Sequence, residues 1–197
     1  MNALFVIGHP AAGSFSHAMA NAAREVLTGA GWRCIWHDLY AEGFNPLQSV
    51  PESGNVTSDD PLVEAHCTDL AAADLILVFH PNWWSQPPAI VKGWIDRVFR
   101  LGTAYEYPAG VALDGVPRGL LRAQHALVFN TSNTPPVRER AVFGDPLESL
   151  WRTAVFGLCG VSSVKRSMVG PMANSSDAQR AQWLHDVRAM VREISQV

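Results

Sequence analysis

The stretch Leu75-Ile76-Leu77-Val78-Phe79, followed by His80-Pro81-Asn82-Trp83-Trp84-Ser85-Gln86-Pro87-Pro88 and then by Ala89 to Leu101, decides the fold. Five consecutive apolar residues without alternation read as a strand covered on both faces, the habit of a parallel sheet between helices. Beyond the prolines, Ile90, Val91, Trp94, Ile95, Val98 and Leu101 recur at spacings of three, four and seven, so Pro88–Leu101 is expected to be a helix with one apolar stripe. Strand, rigid loop and amphipathic helix in that order form part of a βαβ unit.

The same alternation continues in both directions. Toward the N-terminus, Ala3–Ile7 and Arg33–His37 read as strands, Ser16–Gly29 as a helix ending at Gly29 and Gly31, and Pro61–Ala72 as a second helix. Toward the C-terminus, Ala126–Phe129 and Ser162–Val169 read as strands, and Asp177–Ile194 as a terminal amphipathic helix carrying Trp183, Leu184, Val187, Met190, Val191 and Ile194. Asp145-Pro146-Leu147-Glu148 places an N-cap residue, a proline and a glutamate in the order of a capping box, opening a helix to about Leu158. Five strands with interleaved helices and no linker predict one doubly wound α/β domain over residues 1–197. If the strand order is 2-1-3-4-5, a ligand belongs outside the C-terminal ends of the first and third strands, where Gly8–Ser16 and His80–Ser85 lie. Gln48–Pro61 and Tyr105–Arg118 are long irregular insertions, and loops of that length are usually functional.

Composition narrows the function. Fifteen basic against 18 acidic residues give a net charge of −3, too weak a field to hold nucleic acid or an anionic membrane surface. No apolar run approaches the ~20 residues that span a bilayer, and the N-terminus lacks a basic region and signal-length apolar core. Cys34, Cys67 and Cys159 form no C-x-x-C pair and have no histidine at metal-ligand spacing, so they read as reduced, buried thiols of a cytoplasmic protein without a metal site. Seven tryptophans are many for such a chain, and Trp83, Trp84 and Trp94 are clustered.

Gly8-His9-Pro10-Ala11-Ala12-Gly13-Ser14-Phe15-Ser16 leads from the first strand into a helix N-terminus, whose unpaired N–H groups can hold a phosphate. It is neither G-x-G-x-x-G nor a Walker A loop, which disfavours a Rossmann dinucleotide site and a nucleotide triphosphatase. The plainer reading is that Ser14 or Ser16 caps the helix, Phe15 packs and His9 sits in a turn. Trp83 and Trp84 offer flat walls to a planar ring, or else anchor a core or an interface. Tyr105 and Tyr107 share one face of an extended segment around Glu106 and could line one pocket. Asn130-Thr131-Ser132-Asn133 supplies polar groups suited to the edge of a heterocycle, or a simple turn. Arg138-Glu139-Arg140 reads as a solvated charge run. No Ser-His-Asp order, G-x-S-x-G elbow or paired carboxylates appears in these loops, which leaves hydrolase chemistry without a nucleophile.

Together these residues resemble the flavodoxin-like NAD(P)H:quinone oxidoreductase family, which includes mammalian quinone reductases, bacterial modulators of drug activity and ancillary subunits of glutathione-gated potassium efflux systems. The likeness rests on His9 with Gly13-Ser14-Phe15-Ser16, on Gly31-Trp32, on Asp38-Leu39-Tyr40 with Phe44-Asn45-Pro46, and on Ala72-Ala73-Asp74-Leu75-Ile76. Its most specific part runs from His80 to Tyr107, with Pro81, Trp84, Pro88-Ala89-Ile90-Val91-Lys92-Gly93-Trp94-Ile95-Asp96-Arg97-Val98-Phe99 and Ala104-Tyr105-Glu106-Tyr107. The resemblance implies a three-layer flavodoxin-like fold with a five-stranded parallel sheet. It further implies a flavin, FMN or FAD, with Ser14-Phe15 favouring FAD, and two-electron transfer from NAD(P)H to a quinone by a ping-pong mechanism. His9, Ser14, Phe15 and Ser16 would hold the phosphate, Pro81, Asn82, Trp83, Trp84 and Ser85 the ring, and Asn130, Thr131, Ser132 and Asn133 its edge. Tyr105 and Tyr107 would line the nicotinamide and quinone pocket across a homodimer interface. Many relatives carry Thr-Thr-Gly-Gly followed by a Tyr and a His where this chain has Asn130-Thr131-Ser132-Asn133-Thr134-Pro135-Pro136. Arg138, or Arg140, is the expected source of the missing positive charge. A regulatory subunit of a potassium efflux transporter is the alternative reading. A one-electron carrier is disfavoured by the mild charge.

Overall fold

The computed structural model describes residues 1–53, 57–108 and 115–195, so parts of both predicted insertions lie outside the described residues. Five parallel strands form the sheet: β1 (Asn2–Ile7), β2 (Arg33–Asp38), β3 (Leu75–Pro81), β6 (His125–Thr131) and β7 (Ser163–Val169), in the order β2-β1-β3-β6-β7. A separate antiparallel pair, β4 (Tyr105–Glu106) and β5 (Arg118–Gly119), stands apart from it. Counting the main sheet alone, this is the predicted order, with the switch between β1 and β3.

Helices cover both faces because alternate residues of the central strands point to opposite sides. Leu4, Val6, Ile76 and Val78 pack toward α2 (Pro61–Ala72) and α3 (Ala89–Val98), around Trp94 and Trp151. Phe5, Ile7, Leu77 and Phe79 pack toward α1 (Phe15–Gly29) and α6 (Asp177–Ser195). On that side Phe79 stacks on Phe5 and Phe129, with ring centroids 6.0 and 5.1 Å apart. All of these strand residues are fully buried, which explains the unalternating apolar runs. The segment from Asn45 to Glu52 is tied to α3: Arg97 donates to Glu52 through Nε (3.1 Å) and Nη2 (2.6 Å), and to the Asn45 carbonyl (2.7 Å).

Four local expectations are corrected. Asp145 does not cap a helix: its backbone is left-handed at φ 49 and its carboxylate pairs with Arg166. The helix beyond it is a single turn, α5 (Pro146–Ser149), continuing as a π-helix over Leu150–Gly157. The segment after Asn133 also forms a helix, α4 (Pro136–Phe143), ended by Gly144 at φ 71. Its proline at the first position and its glycine cap were present in the sequence, but an amphipathic stripe was not. Of the cysteines, Cys67 and Cys159 are buried and Cys34 only half-buried; all are free. Among the described residues no helix is long and apolar enough to cross a membrane.

Candidate active site

The strand register brings the C-terminal ends of β1, β3 and β6 level, pairing Ile7 with Phe79 and Pro81 with Thr131. The loops leaving these ends surround a cleft of about 910 Å³. One end is formed by His9, Ala11, Gly13, Ser14 and Phe15 where the chain enters α1. One wall is Pro81 to Ser85, and the opposite side carries Thr131 to Thr134, with Met172 from the β7–α6 loop and Arg180 from the start of α6 closing it. Gly8 lets α3 approach closely beneath it, because a Cβ there would meet the Val91 side chain at 2.0 Å and force it to shift.

Trp84 and Ser85 occupy a two-residue turn with φ of 56 and 57, closed by Trp83 N–H to Gln86 O (3.0 Å) and Gln86 N–H to Trp83 O (3.1 Å). Such a turn favours glycine and asparagine, and its cost here leaves the Trp84 side chain 99% exposed beside the cleft. The turn is secured from below. Trp151 Nε1–H (3.0 Å) and Asn130 Nδ2 (2.8 Å) both donate to His80 Nε2. Indole is a donor only, so His80 carries its proton on Nδ1 and gives it to the Pro81 carbonyl at 2.8 Å. Burial holds this imidazole neutral, its pKa lowered to about 4. From the other side, Ser85 Oγ donates to Glu139, which α4 presents almost fully buried.

At the opposite end, Ala11 N–H donates to His9 Nδ1 at 3.0 Å. Burial, reinforced by nearby His17, pushes the His9 pKa below the ordinary imidazole value. Ser14 is the N-cap of α1 and bonds His17 Nδ1 at 2.8 Å, while His17 Nε2 bonds Asp38 at 2.9 Å.

A family defined by the flavodoxin-like fold matches residues 1–191. This chain belongs to that flavodoxin-like family. An uncharacterized NAD(P)H oxidoreductase of Haemophilus influenzae is 31% identical over 186 residues, covering 91% of this chain and 89% of the relative. NAD(P)H dehydrogenase [quinone] 1 of Rattus norvegicus is 29% identical over 204 residues, covering 92% and 73%. Among solved structures, the NAD(P)H:quinone oxidoreductase of Methanothermobacter marburgensis superposes with a TM-score of 0.85 at 25% identity, covering 98% of each chain.

In this flavodoxin-like chain, His9, Ser14, Phe15, Pro81, Asn82, Trp83, Trp84, Ser85, Thr131, Ser132 and Asn133 all line the cleft. Ser16 and Asn130 do not. Ser16 is buried with its Oγ unpartnered, and Asn130 is turned under the cleft, bonded to His80 and to Arg166 (3.1 Å). Tyr105 and Tyr107 line one pocket together, as their spacing suggested, but it is a separate cavity of about 250 Å³. Arg138 and Arg140 are exposed and outside the lining; Glu139 and Phe143, four residues apart on one face of α4, point in instead. Among the described residues, the cation facing the cleft is Arg180, whose Nε donates to Ser175 Oγ at 2.8 Å.

Arg180, Glu139, Phe143 and Met172 were missed because nothing in the linear order ties the start of α6 or one face of a short helix to β1 and β3. The line of Ser14, His17 and Asp38 was missed similarly, since it joins one helical turn to the end of another strand. Chemically the donor set fits a phosphorylated planar heterocycle, with polar donors at the α1 end and tryptophan, phenylalanine and proline at the other.

A second histidine cluster lies outside the cleft. His37 bonds Glu42 (2.8 Å) and Asp69 (3.0 Å). Burial opposes its charge, but the two carboxylates prevail and raise its pKa. The potential ligand atoms of His37, Glu42 and His66 fall within 4.8 Å of one another. Trp94 Nε1–H nevertheless donates to His66 Nδ1 at 3.0 Å. The His66 proton is therefore on Nε2, the nitrogen facing Glu42 at 3.2 Å, where a metal would need a lone pair. The cluster reads as structural: His37 is held by Glu42 and Asp69, and His66 by Trp94.

Proposed function

We infer that this protein is a flavin-dependent NAD(P)H oxidoreductase that passes two electrons from NAD(P)H to a quinone. The observation that carries the reading is the cleft at the β1/β3 switch point, with phosphate-type donors at one end and an exposed tryptophan turn at the other, in a chain whose relatives bear NAD(P)H and quinone oxidoreductase names. The flavin supplies the redox chemistry when bound, accepting a hydride and releasing it to the acceptor. The protein supplies position and electrostatics. His9, Ser14 and the first N–H groups of α1 hold the phosphate, Arg180 adds positive charge, and the Pro81–Ser85 turn gives the ring a wall. Thr131, Ser132 and Asn133 offer hydrogen bonds to the ring edge. FAD is the cofactor favoured, with FMN the competing form, and the working compartment is the cytoplasm.

The active unit is a homodimer. Tyr105 and Tyr107 stand with rings edge to face at 6.2 Å, outside their own chain's cleft, so they serve the nicotinamide and quinone pocket of a second copy. Heat release and chromatography of the bound chromophore, together with NAD(P)H oxidation using menadione as acceptor, test the reading. A yellow protein that turns over is expected. A colourless protein that takes up neither FMN nor FAD and shows no turnover overturns it.

A further inference from the structure

The line Ser14–His17–Asp38 contains a switch in hydrogen-bond direction. His17 is 8% exposed, and its ring lies between the Ser14 hydroxyl and the Asp38 carboxylate. A carboxylate only accepts, so the proton on Nε2 is fixed by Asp38. A neutral His17 then has a bare Nδ1, which takes the Ser14 hydroxyl proton and leaves a serine lone pair facing the cleft. A protonated His17 donates from both nitrogens. Nδ1–H points at Ser14 Oγ, and the hydroxyl proton is free to turn into the cleft. Ser14 Oγ also accepts from the His17 backbone N–H at 3.4 Å, so it has no lone pair to spare for both roles.

We propose that His17 and Asp38 are positioning residues that gate the Ser14 hydroxyl, so that binding of the flavin 5′-phosphate is coupled to uptake of a proton by His17. This rests on the flavin reading above and adds to it a residue pair and a pH dependence. An anionic phosphate requires a donor from Ser14, and only the doubly protonated ring leaves one. The ionisable groups around this line are Asp38 from the end of β2, His9 from the β1–α1 loop and Arg180 across the cleft. His9 is unsuited to the same role: its Nδ1 already accepts from Ala11 N–H, which leaves Nε2–H as a donor without any added proton.

Calorimetric titration of the flavin-stripped full-length protein, at about pH 8 in buffers of different ionisation enthalpy, measures the proton count. At that pH the FMN phosphate, with a second pKa of about 6, is already a dianion. FMN is expected to bind with net uptake approaching one proton, and its affinity is expected to fall as pH rises, by up to about tenfold per pH unit. Ionisation of the phosphate itself would give the opposite slope. Riboflavin, which lacks the phosphate, should bind without uptake and with a flat pH profile. His17→Gln and Asp38→Asn should lose the uptake, and His9→Asn should keep it. FMN binding with no proton uptake overturns the proposal, as does equal uptake with riboflavin or with His17→Gln. Failure of riboflavin, FMN and FAD alike to bind overturns the flavin assignment itself, and the coupling with it.

Discussion

Replacing Trp84 with glycine should stabilise the protein while weakening its cofactor site. Trp84 sits at φ 56 and is 99% exposed, so truncation forfeits almost no buried apolar area. A non-glycine residue in the left-handed region costs about 1–2 kcal/mol, and the extra freedom of glycine in the unfolded chain returns about 0.5–1 kcal/mol. The balance is a gain of about 0.5–1 kcal/mol, or a rise of roughly 1–4 °C in Tm for a chain of this size. Urea unfolding of flavin-free wild type and Trp84→Gly, at two protein concentrations, reads the difference directly. Flavin affinity, followed by fluorescence, should move the other way as the ring wall is lost. A loss of 1 kcal/mol or more in the flavin-free variant would refute the reasoning, because it would mean that the side chain is packed in solution. Stabilisation with unchanged flavin affinity would refute the functional half alone. Strain concentrated at a binding site is retained where the geometry it produces is used.

Two further expectations concern charge. Arg180→Ala should weaken flavin binding about tenfold, the worth of one charge-assisted hydrogen bond, whereas Arg138→Ala should leave it within about twofold; the reverse ranking would return the cation to α4. The second concerns the tie between Glu52 and α3. Hydrogen bonding to Arg97 lowers the Glu52 pKa to about 2 despite burial. A lowered carboxyl stabilises the fold above the unfolded carboxylate range near 4.3 and loses that contribution as pH falls toward about 2. Glu52→Gln should therefore flatten the acid limb of urea midpoint against pH, and should cost about 3 kcal/mol at neutral pH by leaving Arg97 buried with a weaker partner. An unchanged acid limb would show that Glu52 is not the titrating group.

The sequence by itself determined the architecture. Runs such as Leu75–Phe79 read as strands covered on both faces, and the stripe from Ile90 to Val98 has the period of one helix face, so the strands of the main sheet and its helical layers were legible, while the sheet order, and with it the end at which a ligand belongs, came from the flavodoxin-like pattern the chain resembles. Much of the cleft lining followed, because His9, Ser14 and Pro81–Ser85 are contiguous with strand ends whose position the topology dictates. What the order of residues could not carry was direction and distance. Asp145 looked like a cap, but Arg166 from the neighbouring strand takes its carboxylate. Arg138 looked like the available cation, but α4 turns Glu139 inward and leaves its neighbours about 100° to either side in solvent. Asn130 was assigned to the ligand and is instead bonded to His80 below it. Ser14, His17 and Asp38 become a line only when α1 is laid against the end of β2. Side-chain partners and proton positions depend on which elements pack together, and packing is a property of the folded chain, whereas periodicity is written along it.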